Sequence, residues 1–159
     1  MTKLPKGFLR DPINFLAFGL GSGCAPKAPG TWGTAMAVAL YFPLQAYFTT
    51  SEYVFILVVA ALAGIWICDH ASKVLGVHDH GGIVWDEFVG FWLTMVAAPP
   101  GIAWVLLGFL LFRLFDIWKP WPISWLDRRV HGGFGIMIDD VLAGFFALLV
   151  MQLTASLVL

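Results

Sequence analysis

The stretch from Phe112 to Arg129, FRLFDIWKPWPISWLDRR, does most to limit what this chain can fold into. An apolar run ends at Phe115, and an acid, Asp116, then precedes a base, Lys119, by three residues, a spacing that puts both on one helix face. Pro120 and Pro122 remove two backbone donors, so the helix must stop where the charges appear. Trp118, Trp121 and Trp125, with Trp85 further back, stand at such apolar-to-charged junctions, where an amphipathic ring has one wet side and one oily side. The pattern predicts a site at a membrane surface.

Composition supports a membrane setting. The 159 residues suit a single domain, 1–159, and are 60% apolar and 12% charged, against about 45–50% and about 25% in soluble domains. That leaves too little polar side chain to cover a water-facing globule. A net charge of -1 excludes nucleic acid as a partner, because phosphate neutralisation needs a basic surplus. The basic and then apolar N-terminus is expected to be retained, since its apolar part is short and glycine-rich. Cys24 and Cys68 lack metal-ligand spacing and read as small buried residues.

Along the chain, residues 1–12 read as a solvated arm. Residues 13–23 are apolar but about half the length of a span, fitting an interfacial or re-entrant segment. In CAPKAPGTWGT, residues 24–34, prolines and glycines exclude regular structure, and Lys27, the Thr31 hydroxyl and the backbone around Gly30 are free to meet an anion. A plain turn with Thr31 or Thr34 as N-cap fits the same spacing. Four apolar segments follow, at about 34–48, 53–68, 88–115 and 141–159, and Pro99, Pro100 and Gly101 interrupt the third.

Reading the third segment as a hairpin gives an all-α, polytopic membrane bundle of about four to five membrane helices with catalytic loops on the cytoplasmic face. All nine Lys and Arg and every acid except Glu52 then fall on one side, which the positive-inside rule makes the cytoplasm. A single kinked span would divide the charges between the two faces.

That side collects Asp69, Asp86 with Glu87, Asp116, and Asp139 with Asp140, each expected at a helix end. Charge at the edge of a low-dielectric slab is costly unless paired or coordinated. Carboxylates in this number suit Mg²⁺, which commonly works on phosphate substrates. Capping or macrodipole complementation accounts equally well for acids at helix starts. It accounts poorly for Asp69 and Asp116 at C-termini, which need a cationic partner: Lys119, Arg113, His70 or a metal. His78, Asp79 and His80 read as a solvated loop rather than a zinc site. Asp127, Arg128 and Arg129 read as a charged surface segment, with anionic lipid head groups as a second reading.

APKAPGTWGT, IVWDEFVG, RLFDIWKPWPISWLDRRVHGG and GIMIDDVLAG resemble, in order and over nearly the whole chain, the motifs of the phosphatidylglycerophosphatase A family. The resemblance implies an all-helical enzyme of the bacterial inner membrane. It implies Mg²⁺-dependent hydrolysis of the terminal phosphate of phosphatidylglycerophosphate, a lipid, to phosphatidylglycerol and inorganic phosphate. On that basis Asp69, Asp86, Glu87, Asp139 and Asp140 are expected at the metal and Asp116, Lys119 and Asp140 in catalysis. Lys27, Gly30, Thr31 and Lys119 are expected at the substrate phosphate. Water activated by the metal is favoured over an aspartyl nucleophile, and oligomeric state stays open. The rival reading is a small membrane carrier or cation-binding transport protein, which would want its acids at the bilayer midplane.

Overall fold

A computed structural model describes residues 4–78 and 80–159, so Lys3 and Asp79 lie outside the described residues. These residues form helices and no strand: α1 (Pro12–Ala17), α2 (Pro29–Tyr47), α3 (Thr50–Leu75), α4 (Trp85–Thr94), α5 (Ile102–Trp118), α6 (Ile123–Asp127) and α7 (Gly132–Val158), with 3-10 turns at Phe8–Arg10 and Gly19–Cys24. The expected all-helical class is what the chain adopts.

The boundaries follow local chemistry. Asp11 accepts from the Ile13 N–H at 2.8 Å and Pro12 occupies the first turn of α1. Thr49 and Glu52 form a reciprocal capping box on α3, and Gly76 ends that helix at φ 65°. Gly101, at φ 124°, opens α5 directly after Pro99 and Pro100. The third apolar segment is therefore two helices rather than one kinked span.

Residues 4–12 differ from the expected solvated arm in being docked. Phe8 is buried, Asp11 meets His70 of α3 at 3.2 Å, and α1 packs on α3. Gly23 lies so close to the Gly82 carbonyl that a Cβ would approach its oxygen to 2.0 Å. Cys68 is buried as expected, whereas Cys24 is exposed.

Helix α7 is the centre of the bundle, packing against α3, α4, α5 and α6. Among the described residues two helices, α3 with 26 residues and α7 with 27, are long and apolar enough to cross a membrane. At 1.5 Å per residue each reaches about 39 Å, beyond the roughly 30 Å of a hydrocarbon core. The 17 residues of α5 reach only about 26 Å, and α2 carries Pro43. Large apolar side chains stand exposed in runs along α3 (Phe55, Leu62, Trp66), α5 (Leu106, Leu110) and α7 (Leu149, Leu153, Leu157). Such faces are compatible with lipid contact.

Polar contacts divide the two ends of the bundle. At one end Gln152 donates to the Val96 and Ala97 carbonyls and Tyr53 to the Trp92 carbonyl. At the other end meet the start of α2, the end of α3, the start of α4, the end of α5 and the first turns of α7.

Candidate active site

Two glycines set the site. A Cβ on Gly144 of α7 would come within 2.4 Å of the Gly90 carbonyl oxygen, and one on Gly90 of α4 within 2.8 Å of the Asp140 carbonyl oxygen. Bare backbones thus touch where α4 and α7 cross, as small residues allow between closely packed helices. About one turn before that contact on each helix stand Glu87 and Asp140. The crossing brings ligand atoms of Asp86, Glu87 and Asp140 within 4.8 Å of one another in a buried group that could hold a metal ion.

The group is unbalanced in a way that suits a cation. Glu87 Oε2 and Asp140 Oδ2 are buried and have no hydrogen-bond partner among the described residues. Buried carboxylates this close repel, and they need an opposite charge or a shared proton. Oxygen-only donors with open lone pairs fit a hard divalent cation such as Mg²⁺.

The basic side chains are organised around this group. Arg113 of α5 forms an ion pair with Asp116 one turn later, and its Nη1 lies 3.8 Å from Glu87 Oε1. All three side chains are at most 15% exposed. Arg113 Nε, also buried, has no hydrogen-bond partner among the described residues. Lys119 does not share a helix face with Asp116 as its spacing predicts. The helix ends at Trp118 and Lys119 turns left-handed at φ 44°, which sends its ammonium to Asp139 at 2.5 Å and Asp127 at 2.9 Å. Partial burial disfavours its charge, but the hydrogen bonds and charges of Asp139 and then Asp127 outweigh that and hold its pKa well above the ordinary lysine range.

Helix α2 reaches the same place. It begins at Pro29, five residues before the expected start, so Gly30 and Thr31 lie in its first turn. Ala28 is its N-cap, and Thr34 Oγ1 donates back to the Gly30 carbonyl at 2.9 Å, so neither Thr31 nor Thr34 caps it. A Cβ on Gly30 would lie 2.2 Å from Glu87 Oε1 and 3.1 Å from Arg113 Nη1. Gly30 therefore backs onto the carboxylate group. The Thr31 N–H is taken by the Ala28 carbonyl at 3.0 Å, and Lys27 is exposed on the preceding loop.

Of the other expected ligands, Asp139 is buried beside Asp140 but is turned to Lys119, since successive residues of a helix point about 100° apart. Asp69 stands outside the three-carboxylate group. Lys73 holds it at 2.6 Å, and it accepts from the Gly133 N–H at 3.2 Å. Two placements overturn the expectation of acids at helix ends. Asp69 lies more than a turn inside α3, and Asp139 and Asp140 lie two turns inside α7, where capping does not account for them. His78 accepts from the Gly132 N–H at 2.9 Å, and His80 is buried beside Phe18 rather than solvated. The bridging role of Arg113 between Asp116 and Glu87 was not legible from spacing. The available signal was a glycine about one turn after each acidic pair.

An all-helical chain with a buried carboxylate group and paired basic side chains at one end of the bundle defines a class of metal-competent helical proteins whose apolar surfaces are compatible with a membrane. The family model for phosphatidylglycerophosphatase A matches residues 15–155. The Escherichia coli (strain K12) phosphatidylglycerophosphatase A is 46% identical over 137 residues, covering 86% of this chain and 79% of the relative. The Haemophilus influenzae phosphatidylglycerophosphatase A is 44% identical over 148 residues, covering 92% and 91%. A Bacteroides thetaiotaomicron protein, provisionally named a phosphatidylinositol-3-phosphatase, is 39% identical over 138 residues, covering 81% and 84%. No solved structure matches the chain. The chain belongs to the phosphatidylglycerophosphatase A family, a family of phosphatases.

Proposed function

We propose that this protein is a Mg²⁺-dependent lipid phosphomonoesterase that releases the terminal phosphate of phosphatidylglycerophosphate, leaving phosphatidylglycerol. The observation that carries the reading is the meeting of Asp86, Glu87 and Asp140, with open oxygens on Glu87 and Asp140 beside an open Arg113 Nε. These three residues would hold the metal, with Asp139 next to them. When bound, a divalent cation would supply charge neutralisation at the phosphate and a more acidic water.

The chain's own residues do the rest. Lys119, kept an ammonium by Asp139 and Asp127, offers fixed positive charge rather than a transferable proton. Arg113 Nε offers a second donor to a phosphoryl oxygen, and Asp116 acts through Arg113 by fixing its guanidinium. The first turn of α2 at Gly30 and Thr31 brings the positive end of the helix dipole and the Thr31 hydroxyl, with Lys27 at its approach. Water adds to phosphorus, the ester P–O bond breaks, and the head-group oxygen leaves with a proton. The acyl chains stay in the bilayer beside α3, α5 and α7, in a multi-pass inner-membrane arrangement. The end that carries Arg113, Lys119, Arg128 and Arg129 faces the cytoplasm.

The test is phosphate release by purified protein from phosphatidylglycerophosphate in mixed micelles, with Mg²⁺ and with excess chelator, beside phosphatidylinositol 3-phosphate. Metal-dependent release, faster from the first lipid, is expected. Release that survives the chelator would remove the metal. A preference for the inositol lipid would remove the substrate assignment.

A further inference from the structure

The segment between α5 and α7 contains charges that the catalytic reading leaves unused. Trp121, Ser124, Trp125, Arg128 and Arg129 line a surface groove of about 310 Å³, at the lower end of the roughly 300–1,000 Å³ of small-molecule sites. The Arg129 guanidinium lies over the Trp125 ring, 4.7 Å from its centroid, a placement that holds the side chain in position without neutralising it. Three nearby basic side chains are committed: Arg113 to Asp116, Lys119 to Asp139 and Asp127, and Lys73 to Asp69. Among the described residues Arg128 and Arg129 have no carboxylate within ion-pair distance, and Lys119 holds the adjacent Asp127.

The surroundings say where this positive groove sits. Candidate span α7 starts at Gly132, three residues after Arg129. Ile117, Trp118 and Trp121 beside it are 71, 68 and 79% exposed. An exposed band of tryptophan with arginine immediately next to a span is what a head-group layer favours.

We infer that this groove binds the phosphodiester head group of an anionic phospholipid of the surrounding bilayer, at a place separate from the carboxylate group that handles the reacting phosphate. Arg128 and Arg129 meet the phosphodiester, Trp121 and Trp125 sit at the level of the ester groups, and Ser124 adds a hydroxyl. The inference needs α7 to lie in a membrane, and it does not need the substrate assignment.

Tryptophan emission of the full chain in nonionic micelles, titrated with brominated-chain phosphatidylserine and then with brominated-chain phosphatidylcholine, tests it. Phosphatidylserine has no terminal phosphate for the catalytic centre to hold. The expected result is stronger, saturable quenching by the anionic lipid, weakened by salt. One basic residue near an anionic surface gives roughly fivefold in affinity, so Arg128→Gln with Arg129→Gln should shift half-saturation by about 25-fold. The pair Arg128→Lys and Arg129→Lys should keep most of the preference, which separates lost charge from lost fold. Asp140→Asn should keep it too, because none of the residues lining the groove belongs to the carboxylate group. Equal quenching by both lipids, or a preference that survives the two glutamines, overturns the inference. Removal of the preference by millimolar inorganic phosphate would show a free-phosphate site and overturn the lipid assignment. Because quenching needs no turnover, its failure and failure of the phosphatase reading are told apart.

Discussion

Replacing Gly30 by alanine should separate stability from catalysis. The added Cβ would stand 2.2 Å from Glu87 Oε1, whereas an ordinary C···O contact is about 3.3 Å or longer. The carboxylate must therefore retreat by about 1 Å. A misplacement of that size at reacting groups costs on the order of 100-fold in rate, or about 2.7 kcal/mol of transition-state stabilisation. Stability should move the other way. Gly30 has a helical backbone in the first turn of α2, where alanine is favoured over glycine by about 0.5–1 kcal/mol. Phosphate release measured across a Mg²⁺ titration, alongside a thermal melt, reads both quantities. The expected outcome is turnover down about 100-fold and a higher Mg²⁺ requirement, at an unchanged or slightly raised melting temperature. Turnover within about threefold of the parent, at the same Mg²⁺ requirement, would refute the placement of Glu87 in the working site.

Further tests probe the rest of the geometry. Glu87→Gln and Asp140→Asn each remove a charge from the buried group while keeping shape, and each should cut turnover by roughly 1,000-fold or more in a folded protein; near-normal turnover removes that residue from the site. Asp69→Asn should retain most activity, since an amide oxygen still accepts from the Gly133 N–H; a loss equal to that of Asp140→Asn would return Asp69 to the metal. Gly144→Ala forces a Cβ to 2.4 Å from the Gly90 carbonyl oxygen and should cost about 1–3 kcal/mol by denaturation; an unchanged midpoint would mean that α4 and α7 cross elsewhere. In a Cys24→Ser background, a cysteine replacing exposed Pro100 should label only from the periplasmic side, and cytoplasmic labelling would reverse the orientation.

The family motifs were readable in the chain because they are local. Acids followed by prolines and tryptophans, or preceded by a long apolar run, announce an apolar-to-charged junction whatever the packing. The break at Pro99, Pro100 and Gly101 was readable for the same reason, since no helix passes through it undisturbed. Helix starts were less readable. Glycines at 132, 133 and 135 obscure the first turns of α7, yet the helix runs through them. Its N–H groups find acceptors from outside, at His78 and Asp69.

Which acids meet depends on how the helices cross, and sequence spacing does not encode that. Asp139 and Asp140 are equivalent as letters, but a 3.6-residue turn aims one at Lys119 and the other at Asp86 and Glu87. Asp69 has the composition of a ligand and the position of a tertiary cap. Lys119 has the spacing to pair with Asp116, and a left-handed turn takes it to Asp139. The sequence by itself determined that carboxylates, bases and tryptophans gather beside an apolar bundle. Only the tertiary structure decided their partners, because Gly90 against Gly144 lets two backbones close, and Gly30 lets a backbone close on the Glu87 carboxylate, to distances that no pattern along one helix specifies.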